Sequence, residues 1–139
     1  MTFKNLCFSL LFLSYMNNSY SQIELPFSKI PKAPKEISSS TITARMIQGL
    51  GFRYYWATED LTTKDLLYRP SEDAQSNYET LEHIYSLALM INNATNSTPN
   101  IRPLKEVPNN FESLRKETLN QLEIACTNFL AAGENDIES

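Results

Sequence analysis

Residues Ser76 to Ala94 (SNYETLEHIYSLALMINNA) admit one local structure, an amphipathic helix. Ser76 followed three residues later by Glu79 makes a capping box, in which hydroxyl and carboxylate each satisfy a backbone N–H that the helix start would orphan. Leu81, Ile84, Leu87, Ala88 and Ile91 then recur at helical spacing and form an apolar stripe. His83 is the only histidine of the chain. At 3.6 residues per turn it lies about 100° around the helix from Ile84, at the rim of the stripe.

Two further segments carry the same period. From about Thr41 to Asp60, Met46, Ile47, Leu50, Tyr54, Ala57 and Leu61 make one stripe, and Phe52, Tyr55 and Trp56 add an aromatic face. Gly49 and Gly51 interrupt it at about 1 kcal/mol each relative to Ala, so either another backbone approaches closely there or the helix kinks. From about Asn110 to Ala132 the stripe is Phe111, Leu114, Leu119, Leu122, Cys126 and Phe129, with Gly133 as a natural stop. Thr62 with Asp65 predicts a short capped turn between the first two helices, where Leu66, Leu67 and Tyr68 can plug the end of a bundle. Pro99, Pro103 and Pro108 mark a rigid connection before the third. No strand pattern competes, so the expected class is all-α, an up-down-up bundle of three long helices. Each stripe is wide enough to face two neighbours, which leaves room for a fourth helix.

The ends read differently. Lys4 and the apolar run Leu6 to Met16 resemble a secretory signal peptide over residues 1–21, with cleavage after Ser21. The run is too short to span a membrane, and no second one follows, so no integral membrane segment is expected after cleavage. Residues 22–40 form a polar tether punctuated by Pro26, Pro31 and Pro34, which is expected to lie against the helical domain of residues 41–139. Loss of the leader removes Lys4 and no acidic residue, moving the formal charge from −4 to −5. With no Lys/Arg cluster in the helical region, a nucleic-acid partner is not expected. Cys7 leaves with the leader, so Cys126 has no partner for an internal disulfide and the core alone must hold the fold.

Residue chemistry does not specify a reaction. Glu79 and His83 make an E-x-x-x-H pair, but a metal needs three or four ligands and the capping box already employs Glu79. A hydrogen-bonded structural histidine is the weightier reading. Cys126 falls on a stripe and reads as a buried, inert thiol. Tyr54, Tyr55 and Trp56 line either a pocket or the core. Asn93-Ala-Thr95 and Asn96-Ser-Thr98 are glycosylation sequons, or else a polar helix end.

The run FRYYWATEDLTTKDLLYRP (52–70), followed by a capped helix containing Leu81-Glu82-His83-Ile84, resembles the DinB superfamily. There a first helix ends in W-x-x-x-x-L, a turn ends in x-R-P, and a second helix carries L-x-H-I. Trp56, Leu61, Arg69-Pro70 and His83 occupy those places. The resemblance covers about residues 41–132 and implies the first three helices of a four-helix bundle. It also implies a divalent metal, zinc or nickel, held by three histidines. His83 matches one of them, and an H-x-x-x-H pair on a fourth helix supplies the others. The implied activities are metal-dependent hydrolysis or thiol-dependent transfer by a secreted or periplasmic protein, here with an incomplete metal site. The competing expectation is a non-catalytic helical binding or dimerisation module, a homodimer joined through an exposed groove.

Overall fold

A computed structural model describes residues 24–104 and 106–132. The described residues hold four helices and no strand: α1 (Ser39–Thr58), the single turn α2 (Thr63–Leu67), α3 (Asn77–Thr95) and α4 (Phe111–Ala131). The chain is all-α. The leader and the Gly133 stop lie outside the described residues.

Local chemistry places each start. Ser38, Thr62 and Ser76 each head a closed capping box, with Thr41, Asp65 and Glu79 returning the bond. Asn110 caps α4 by accepting from the Ser113 N–H at 2.9 Å.

Packing sets the helix directions. Arg115, early in α4, bonds Thr58 and the Tyr55 carbonyl late in α1, while Cys126 meets the Ala44 carbonyl, so α1 and α4 run antiparallel. Asn92 bonds Gln121, and Thr95 accepts from Asn128, so α3 and α4 run parallel. The order is therefore up-down-down, not the alternating one expected. The connection explains the difference. Asn100 is tied to Asn93, Arg102 reaches Met90, and Glu106 to Pro108 lie beside Tyr85, so the segment runs back along α3. Extended chain covers about 3.3 Å per residue against about 1.5 Å in a helix, so a proline-punctuated segment shorter than α3 can retrace it.

Helix α4 is the spine. It packs against both α1 and α3, whose backbones scarcely approach each other. Leu114, Leu119, Leu122 and Ala125 of α4 are fully buried, joined by Ala44, Ile47 and Tyr54 from α1 and Leu81, Tyr85 and Ala88 from α3. The three long helices leave three seams. The tether covers α1/α4: Leu25 and Phe27 pack on the core, Trp56 donates to the Ser28 carbonyl at 3.3 Å, and Arg45 to the Pro31 carbonyl at 2.7 Å. Gly51 makes room for this, since a Cβ there would stand 2.5 Å from the Phe27 ring. The intruder is thus a side chain, where the sequence suggested a backbone or a kink. Phe27 itself has φ 69°, a left-handed conformation costing roughly 1–3 kcal/mol that burial of its ring offsets. Leu104 of the returning connection packs over α3/α4. Among the described residues, no segment lies over the α1/α3 seam.

Candidate functional site: the bare seam between α1 and α3

The seam is an apolar groove of about 550 Å³. Leu50 and Ala57 of α1 form one wall, Ile84, Leu87 and Ile91 of α3 the other, and Leu122 of α4 lies behind. Arg53 is the one charged residue in its lining, and its guanidinium donates back to the Gly49 carbonyl of its own helix. Leu50 and Leu87 each keep 42% of their surface exposed, and Met46 keeps 71%. All three belong to stripes expected to be core. They are exposed because each stripe faces two directions and only one has a neighbour.

His83 is exposed and lies outside the lining, one turn before Leu87. Its helical partner Glu79 is already bound. The carboxylate accepts from the Ser76 N–H at 2.7 Å and from the Arg69 guanidinium at 2.9 Å. Arg69 first, then the Ser76 N–H, hold the Glu79 carboxyl down at about 2. No group of three His, Cys, Asp or Glu able to hold a metal ion occurs among the described residues. With one histidine in the sequence and its neighbouring carboxylate engaged, these residues do not fit the zinc or nickel centre that the family resemblance implies.

Cys126 is buried, as its place in the stripe suggested; its thiol faces the Ala44 carbonyl at 3.7 Å, and burial pushes its pKa up, away from nucleophile chemistry. Of the aromatic trio, Tyr54 is core and lines the groove, whereas Trp56 is exposed against the tether. Burial raises the Tyr54 hydroxyl pKa against smaller lowering influences from Thr118 and Arg115, and among the described residues no group stands in hydrogen-bond geometry to that buried hydroxyl. The sequon amides are employed at the helix end: Asn93 donates to Asn100 and Asn96 to the Asn92 carbonyl.

One residue escaped sequence reasoning. Arg115 is buried at 7% exposure, donates to Thr58 Oγ1 at 3.0 Å and to the Tyr55 carbonyl at 3.1 Å, and stacks over the Tyr55 ring at 4.7 Å. Its position between Leu114 and Leu119, inside the apolar stripe, is the signal that could have found it. These bonds satisfy carbonyl and hydroxyl groups near the end of α1, so its role is to join α1 to α4.

No described helix is long and apolar enough to cross a membrane. No family model, curated protein or solved structure matches the chain.

Proposed function

We propose that this chain is a helical binding module whose working surface is the α1/α3 groove, and that the groove takes the apolar face of another helix. The carrying observation is the bare seam, in which Leu50 and Leu87 stand exposed above the buried Leu122. Two helices resting on a third leave one corner of a four-helix arrangement open, and a helix has the right diameter for it. The α1 wall from Leu50 to Thr58 is about two and a half turns long, which sets the length of the contact. Arg53 at the wall favours an acidic residue on the flank of the occupant. An exposed apolar strip on a small protein is an interaction surface by default. Titration with the apolar dye 8-anilinonaphthalene-1-sulfonate tests the groove: the wild type binds and brightens the dye, and Leu87→Gln suppresses the signal. A wild-type chain that leaves the dye dark contradicts the reading.

A second reading keeps metal chemistry. In a secreted or periplasmic DinB-like protein, His83 would be one ligand and a helix seated in the groove would bring the H-x-x-x-H pair. The complete site would then be that of a metal-dependent hydrolase or thiol-dependent transferase. The place of His83, one turn from the rim residue Leu87, favours it. Metal content separates the two readings: stoichiometric zinc or nickel that is lost on His83→Ala supports this one, and protein that stays metal-free together with whatever fills its groove refutes it.

A further inference from the structure

The connection that runs back along α3 leaves a hollow of about 640 Å³ beside Tyr85 of α3 and Glu117 of α4, with Glu106, Val107, Pro108 and Asn109 as its other wall. That wall is fixed on both sides. Leu104 packs on the core just before Glu106, and Asn110 caps α4 just after Asn109. Two carboxylates therefore share one hollow, and like charges held close are unfavourable unless a cation joins them. Among the described residues neither forms an ion pair, and the one contact is Asn120, whose amide meets Glu117 Oε1 at 3.5 Å.

Tyr85 is the second observation. It is 8% exposed, yet among the described residues no group hydrogen-bonds its hydroxyl. Tyr54 holds the orphaned hydroxyl that is wholly enclosed, so that of Tyr85 opens into the hollow, where its oxygen can accept a hydrogen bond. Burial first, then the charges of Glu117 and Glu106, raise its pKa, so both carboxylates act on that oxygen. The lining selects a chemistry. A hard divalent ion takes about six to eight oxygens in a close cage, which so wide a hollow with two carboxylates does not make. An ammonium or guanidinium group donates several hydrogen bonds at once, and Val107 and Pro108 offer an apolar wall for its stem.

We propose that this hollow binds an organic cation, an ammonium or guanidinium group on an alkyl stem, held by Glu106, Glu117 and the Tyr85 hydroxyl. The site is separate from the α1/α3 groove and does not depend on what fills it.

NMR titration of the chain with agmatine, which carries a guanidinium and an ammonium on one alkyl stem, tests it. Saturable shifts are expected for the Tyr85 ring and the amides of Glu106, Val107 and Asn109, with a midpoint at about millimolar concentration. Glu106→Gln and Glu117→Gln each weaken binding by about three- to tenfold, and the pair abolishes it. Tyr85→Phe weakens it by about threefold. Glu106 is exposed, so its substitution tests the site even where Tyr85→Phe unsettles the core. The uncharged 1-pentanol leaves these signals unmoved. The absence of a saturable shift overturns the proposal, as do shifts indifferent to both glutamates. Calcium chloride acting on the same signals at lower concentration than agmatine overturns it too, by making the hollow a metal-ion site. So does binding that emerges only in Lys105→Gln, a position outside the described residues, because the chain's own lysine would then be the cation.

Discussion

The α1/α4 and α1/α3 seams share a helix and differ in what lies over them. On the first, the tether lays Phe27 against Gly51 and anchors itself through Trp56 and Arg45, so apolar surface and backbone carbonyls are both answered. On the second, Leu50 and Leu87 face outward with no segment of the described chain above them. The composition of α1 is apolar on both sides, so sequence hydrophobicity does not distinguish a stabilising face from a recognising one. The covering segment does. A residue under cover contributes to folding, and one at the bare seam is free to contribute to binding.

Substitutions sharpen the contrast, beginning with the spine. Leu119→Ala, fully buried on α4, should cost about 3–4 kcal/mol in urea unfolding, because neither flanking helix can collapse into the space. At the covered seam, Phe27→Ala should cost about 2 kcal/mol, since the ring is only partly buried and its removal also relieves the strained backbone. Gly51→Ala should act through the same ring by expelling it, so the double variant should be less damaging than the sum of the two.

Acid should act on α3 through its cap. Glu79 is held at about 2 in the fold against an ordinary 4.5, so its contribution is complete above pH 4.5 and is lost as pH falls towards 2. Arg69→Met removes the largest cause of the depression, and the acid loss of helix signal in circular dichroism should begin at higher pH than in the wild type. At the bare seam Leu87→Gln should change stability by no more than about 0.5 kcal/mol while abolishing dye binding. A large loss of stability there would mean that the seam is core after all.

Much of the fold was legible because it is local. The capping boxes at Thr62 and Ser76 and the three stripes follow from spacings within single turns, and the burial of Cys126 follows from its stripe. The direction of α4 was not legible, because the connection before it is long enough to run either way, and only the ties from Asn100 and Arg102 back to α3 decide. The strap was hidden for a related reason: Leu25 and Phe27 show no period among prolines, and Phe27 finds Gly51 across a distance in sequence that no local pattern records. His83 is exposed and outside the groove lining, and spacing does not say whether such a position faces a partner, solvent or a ligand set.

Methyl-resolved NMR of the chain titrated with 8-anilinonaphthalene-1-sulfonate tests the central contrast most directly. Bound dye is predicted to shift the methyl groups of Leu50, Ile84, Leu87 and Ile91, which line the bare seam, and to leave Leu25 and Leu104 at the covered seams unmoved. Shifts centred on the covered seams, or none at any dye concentration, would contradict it.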